Sequence, residues 1–325
     1  MTLHNTVITK FVSNFDPAVN GFQFSNNNWP SNPIYIQLLV PIPGNGIPIA
    51  DASKGLCGGM VFAARDYFQI HQPLSSVSLP ANNTPLYNYI FQRLIDSFGL
   101  STDHFTSGHT ALRFWTLMNP ALPDHETTIE PLGHGRAWLM IKEEWPKIKA
   151  DIDMQILSPI GLVLVKSLNP FDMQHHHQVL VYGYSLNGNN LTLFVYDPNS
   201  PQVQCKISLN ISNPAHTTNV SYSGQLKTNE KIWCFFRIDD YFPRDPRSFI
   251  PTPQPPQPPR PIPTACQSIA NNLKELQGEL KDAQQELASA VGSEKAVLAT
   301  AIKNLNTKIT QQQKLLDKCI QQHPT

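Results

Sequence analysis

Eight of the thirteen residues from 251 to 263 are proline (PTPQPPQPPRPIP). Proline fixes φ and lacks a backbone N–H, so this run forms neither a helix nor an interior strand. It reads as a polyproline II spacer of about 3.1 Å per residue, roughly 40 Å in all. A docking site for a proline-reading domain is the other use of such a run. Folding has to happen on either side of it. The expected organisation is a domain over residues 1–249, a proline-rich linker over 250–264 and a helical hairpin over 265–325.

Beyond the linker the sequence turns rich in Gln, Lys, Leu and Ala. Cys266, Ile269, Leu273, Leu276, Leu280, Ala283, Leu287 and Ala290 advance by threes and fours, the spacing of a coiled-coil seam. Gly292 and Ser293 interrupt it as a helix stop and start. A second seam runs through Leu298, Ile302, Leu305, Ile309, Gln312, Leu316 and Cys319. Two such helices joined by a short turn pack antiparallel. Cys266 and Cys319 stand equally far from that turn, so the register brings them face to face, and a disulfide between them is expected. Such a bridge implies an oxidising destination and, with no leader to read, a non-classical route of export. The hairpin itself carries no chemistry; its expected use is structural, binding a protein partner or a second copy.

Charge excludes some functions. Lys plus Arg and Asp plus Glu both number 24, so no net field attracts nucleic acid or an anionic membrane. No apolar run approaches the roughly 20 residues that cross a bilayer. The first residues, MTLHNTVITKF, lack the charged start and apolar stretch of a secretory signal.

In the first domain, helices are predicted near residues 55–70, 86–98, 110–118 and 136–149. Strands are predicted at 160–166, 179–184, 191–196, 203–209 and 231–238. Helices before strands is the order of an α+β domain. Cys57 sits in GLCGGM at the start of the first helix, where free N–H groups and positive potential favour a thiolate. Gly55, Gly58 and Gly59 around it are expected to let a substrate backbone approach. His177 opens an apolar strand, HQVLVYGY, and Asp197 ends the next, LTLFVYDPN. If these strands are adjacent and antiparallel, His177 and Asp197 meet as a base and its orienting carboxylate.

The order Cys, His, Asp, with helices ahead of the sheet, resembles the papain-like cysteine peptidase superfamily, and within it the C39-like branch. The resemblance rests on GLCGGM, HQVLVYGY and VYDPN and covers about residues 11–245. It implies a papain-like fold and a cysteine peptidase or amidase that acts on a peptide or protein through a thioester, as hydrolase or acyltransferase. It assigns Cys57, His177 and Asp197 as the triad. The family's oxyanion glutamine, a few residues before the cysteine, is absent from ADASKGLC. Asn26, and after it Gln23, is the expected substitute. The alternative is a catalytically silent papain-fold binding module tethered through its hairpin.

Two further features read as structural. His175, His176 and His177 are consecutive, so their side chains diverge and do not converge on one ion; no metal or cofactor is expected. Cys205 and Cys234 lie on separate predicted strands, either as a pair or as two buried thiols.

Overall fold

A computed structural model describes residues 7–31, 33–36, 47–74, 78–101, 108–126, 134–226, 230–249, 263–289 and 293–322. The chain divides into two compact units, Met1–Pro251 and Thr252–Thr325. Of the predicted linker, 250–264, residues 250–262 fall outside the described residues, as do Ala290 and Gly292.

Unit 1 is a mixed α+β structure. In chain order it contains β1 (Ile8–Phe11), α1 (Pro17–Asn20), β2 (Pro33–Ile36), β3 (Ile47–Asp51), α2 (Cys57–Gln69), α3 (Pro85–Ser97) and α4 (His109–Met118). Next come α5 (Arg136–Trp138) and α6 (Trp145–Asp153), with a π-helical stretch, Leu139–Glu144, between them. The sheet follows as β4 (Ser158–Val163), β5 (His177–Asn187), β6 (Asn190–Tyr196), β7 (Gln204–Asn210), β8 (Ser221–Tyr222) and β9 (Cys234–Arg237). Its order is β8-β7-β6-β5-β4-β9, with every neighbouring pair antiparallel.

Strand β5 is the axis of this sheet. β6 lies along one edge of it, and β4 and then β1 share the other: β4 pairs with residues 177–181 and β1 with 183–186. β5 is buried from His177 through Tyr184, as a strand covered on both faces has to be. β1, by contrast, is exposed throughout and lacks the apolar alternation that reveals a strand in sequence. The β2–β3 hairpin and short β8 are likewise additions to the predicted elements.

Two predicted boundaries move, the first for an identifiable reason. The helix expected over 136–149 extends to Asp153 but widens into π geometry before Trp145 and Pro146. Pro146 has no N–H to donate, and its ring crowds the carbonyl four residues back, so the widened turn accommodates it. The strand expected over 231–238 contracts to Cys234–Arg237, although Trp233 N still donates to Val163 O and Ile238 N to Pro159 O.

The segment after β9 is part of unit 1. Arg93, fully buried on α3, pairs with Asp66 of α2 at 2.8 Å and with Asp96 at 2.8 Å. Arg244 reaches Asp96 at 2.7 Å, Tyr241 OH donates to Asp66 at 2.7 Å, and Phe242 O accepts from Arg93. A buried arginine is tolerated because two carboxylates and a carbonyl replace its water. The tail that leads toward the prolines is thereby tied to α2 and α3.

Unit 2 is an antiparallel pair of helices, α7 (Gln267–Ser289) and α8 (Ser293–Gln322). Cys266, Leu273 and Leu316 are its buried core, packed by Ile269, Ala270, Ile309 and Cys319. Cys266 and Cys319 form a disulfide with Cα atoms 5.9 Å apart. Among the described residues of both units, no helix is long and apolar enough to cross a membrane.

Closing a loop of roughly 50 residues stabilises a small hairpin by about 2–4 kcal/mol. Reduction should therefore lower the thermal midpoint of unit 2 and leave that of unit 1 in place. Non-reducing peptide mapping should recover Cys266 linked to Cys319; finding both alkylated in unreduced protein contradicts the register.

Candidate active site

Cys57 is the first residue of α2 and is half-buried. Three glycines decide where that helix starts; Gly55 lines the cleft, whereas Gly58 and Gly59 differ from the expectation that they clear space for substrate. Gly55 has φ +120°, and a Cβ there would lie 2.5 Å from Asn26 Nδ2. A Cβ on Gly58 would come within 2.2 Å of Ser97 Oγ and 2.7 Å of the Gln178 amide. One on Gly59 would stand 2.0 Å from the Ile90 carbonyl oxygen of α3. The absent side chains of Gly58 and Gly59 serve packing inside the protein, where α2 presses its first turn against α3. The next residues, Met60 through Ala64, are completely buried.

Asn26 fastens the same turn from the other side. Its Oδ1 accepts from Leu56 N at 2.6 Å and from Trp29 Nε1 at 3.0 Å, and its Nδ2 donates to Asn199 Oδ1 at 3.1 Å. Asn199 N in turn donates to Asp197 Oδ1 at 2.8 Å. Asn26 thus ties the residue before Cys57 to the residues after Asp197. It also lines the cleft beside Cys57, whereas Gln23 does not reach it.

The β5–β6 register, with Leu180 opposite Tyr196, brings the start of one strand beside the end of the other. His177 is 4% exposed, and its Nε2 donates to Asp197 Oδ1 at 2.6 Å. Nδ1 is then the nitrogen left for Cys57, which borders the same cleft as His177 and lies close enough to act on its titration. The structure therefore brings Cys57, His177 and Asp197 together, with Asn26 adjoining.

Burial acts on His177 first and would lower its pKa. The Asp197 charge, the hydrogen bond to it and the contact with Cys57 outweigh burial and raise the pKa to about 10. Burial likewise works to raise Asp197, but the His177 cation and hydrogen bonds from His177, Tyr222 and Asn199 hold its carboxyl below the usual range. Tyr222 OH donates to Asp197 Oδ2 at 2.7 Å, and Ser200 Oγ is 3.4 Å from the same oxygen. Burial and the adjacent carboxylate push the Tyr222 phenol up, so it stays a donor. Tyr222 and Ser200 escaped sequence reasoning. Ser200 follows the DPN turn closely enough to be guessed, but nothing local marks Tyr222, on a two-residue strand 25 residues from Asp197.

These groups border a cleft of about 250 Å³. Carboxamides line part of it (Asn26, Asn27, Gln174, Asn199 and Gln225), and buried Leu94, Phe98, Leu164 and Met173 line another part. The three histidines separate, as consecutive side chains must. His176 stacks on Phe114 at 4.9 Å and its Nδ1 accepts from Leu164 N at 3.2 Å. Burial, and then neighbouring His175, lower its pKa to about 3, so it is neutral. His175 lies 3.9 Å from Asp172. Among the described residues no three His, Cys, Asp or Glu side chains gather in a way that could hold a metal ion. Cys205 and Cys234 are free and buried, with β6, β5 and β4 between their strands. Burial raises both thiols, Cys234 to about 12.

No family model, curated protein or solved structure matches this chain.

Because the His177 pKa lies above its ordinary value near 6.5, the protonated ring's contribution to stability is complete below pH 6.5 and disappears as pH rises through 10. Asp197→Asn removes the charge that offsets burial, so the His177 pKa should fall below its ordinary value. Imidazole NMR titration checks this; an Asp197→Asn protein whose His177 stays protonated above pH 8 contradicts it.

Proposed function

We propose that unit 1 is a papain-like cysteine hydrolase or acyltransferase that cleaves peptide or amide bonds through a thioester. The observation that carries this reading is the buried His177–Asp197 pair, joined at 2.6 Å, beside Cys57 at the edge of an open cleft. A cationic His177 is the counter-ion a Cys57 thiolate requires. The chain order of these residues, with the cysteine on the first long helix and the histidine and aspartate on adjacent strands, agrees with the papain-like pattern.

The chemistry follows from the positions. The Cys57 thiolate attacks the carbonyl carbon, and the developing oxyanion is met by the backbone N–H of Cys57, which precedes the first intrahelical bond of α2. As the C–N bond breaks, His177 gives its proton to the departing amine, leaving an acyl thioester on Cys57. His177, now neutral, accepts a proton from water, whose oxygen attacks the thioester. The C–S bond breaks, the acid leaves and the thiolate–imidazolium pair is restored. An amine in place of water gives acyl transfer. Asp197 stays ionised throughout and Tyr222 holds its second oxygen. Asn26 has its carbonyl and one N–H engaged. It acts first by seating Cys57 relative to Asp197, and its second amide hydrogen is a further donor to the oxyanion. The carboxamide-lined wall suits a peptide backbone, which presents the same donors and acceptors.

Incubation of candidate peptides and proteins with wild type and with Cys57→Ala, read by mass spectrometry, tests the proposal. Cleavage, deamidation and cross-linking leave different masses, and each should be lost by at least about 10³-fold in Cys57→Ala. His177→Ala should lose nearly as much and Asp197→Ala less, because Asp197 orients and does not react. Full activity in purified, folded Cys57→Ala overturns the mechanism.

A further inference from the structure

The helices of unit 2 cover their seam only in part. Cys266, Leu273 and Leu316 are buried, but Leu276, Leu280, Leu298, Ile302 and Leu305 remain half-exposed. Two apolar side chains off the seam are exposed outright, Val297 at 68% and Leu315 at 53%. In a seven-residue repeat, the residue just before each seam position lies on one flank of the helix and the residue just after it on the other. Val297 and Leu315 both precede seam residues, as do Lys308 and Lys318. On α7 the separation of charge is complete. Glu275, Glu279, Asp282 and Glu286 each precede a seam residue, whereas Lys274 and Lys281 each follow one. In an antiparallel pair the two preceding flanks face the same way, so one side of the hairpin carries an acidic strip on α7 beside an apolar and basic strip on α8.

We infer that this side is covered by the same side of a second copy of the chain. The two copies are related by a two-fold axis parallel to the helices, with α7 of each against α8 of the other in an antiparallel four-helix bundle. Charge selects this pairing. Packing α7 on α7 sets four carboxylates against four, whereas α7 on α8 sets them against Lys308 and Lys318. The disulfide supplies the register. Eleven residues up α7 from Cys266 is Gln277, and eleven down α8 from Cys319 is Lys308, so these two are level. A two-fold axis parallel to the helices preserves height, which brings Lys308 of the second copy between Glu275 and Glu279. Leu315 and Val297 then enter the contact near its two ends. The half-exposed seam gains the cover a two-helix unit lacks, and both linkers leave the bundle at the same end.

Light scattering and sedimentation equilibrium of the full chain at tens of micromolar should give a dimer. Leu315→Glu with Val297→Glu should give a monomer whose helix content and Cys266–Cys319 bridge are unchanged. Lys308→Glu alone, and Glu275→Lys with Glu279→Lys alone, should each weaken dimerisation at least tenfold. Mixing those two proteins should restore it, because each heterodimer contact then joins opposite charges, while charges within one chain are untouched by mixing. A monomeric wild type, including one whose flank is covered by another protein or by unit 1, overturns the inference. So does an assembly larger than a dimer, or a dimer indifferent to Lys308→Glu.

Discussion

Gly59 and the Ile90 carbonyl approach so closely that no side chain fits between α2 and α3. That contact, with Gly58 against Ser97 and Gln178, sets the height at which α2 begins. The nucleophile candidate is the first residue of the helix, so its place is inherited from this packing. Asn26 secures the preceding residue, and the Arg93 carboxylate pairs bind α2 to α3 and to the tail after β9. Interiors are packed too densely for such a start to slide. A displacement of the first turn would have to break backbone contacts, a buried ion cluster and an amide bridge together.

The opposite side of the cleft is held by the pairing of β5 with β6. Two ionisable groups are buried there, which is costly unless each neutralises the other. His177 and Asp197 do so, and Tyr222, Ser200 and the Asn199 N–H occupy acceptor sites the imidazole leaves open. The remaining imidazole nitrogen is free of Asp197, and His177 borders the same cleft as Cys57. Cys205 and Cys234 lie on strands, not at a helix start, and burial raises both thiols, outweighing the Arg136 and Arg113 charges that act on Cys234. Environment, more than residue type, distinguishes Cys57 among the three free cysteines.

Much of this was legible in the sequence. Proline density marked the division of the chain, heptad spacing marked the hairpin, and the equal distances of Cys266 and Cys319 from the turn anticipated their bridge. Apolar strand patterns put His177 and Asp197 at strand ends that turned out to be adjacent. What stayed hidden depended on tertiary contact. The glycines after Cys57 look the same in sequence whether they admit a substrate or a neighbouring helix, and only the position of α3 decides. β1 has no period to detect because it lies on the sheet's edge with every residue exposed. Tyr222 comes to Asp197 through the pairing of β8 with β7, a long-range event with no local mark. Asn26 was picked out of a polar cluster well upstream of the cysteine, but its bridging of the two halves of the site follows from geometry alone.

Activation of Cys57 by His177 would show in the rate at which its thiol is alkylated. Iodoacetamide at neutral pH, followed by peptide mass spectrometry, reports the three free cysteines separately in one folded sample. Cys57 should be modified fast and Cys205 and Cys234 slowly, and folded His177→Ala should lose at least tenfold of the Cys57 rate. Uniformly slow alkylation of all three, or a Cys57 rate unchanged by His177→Ala, would contradict it.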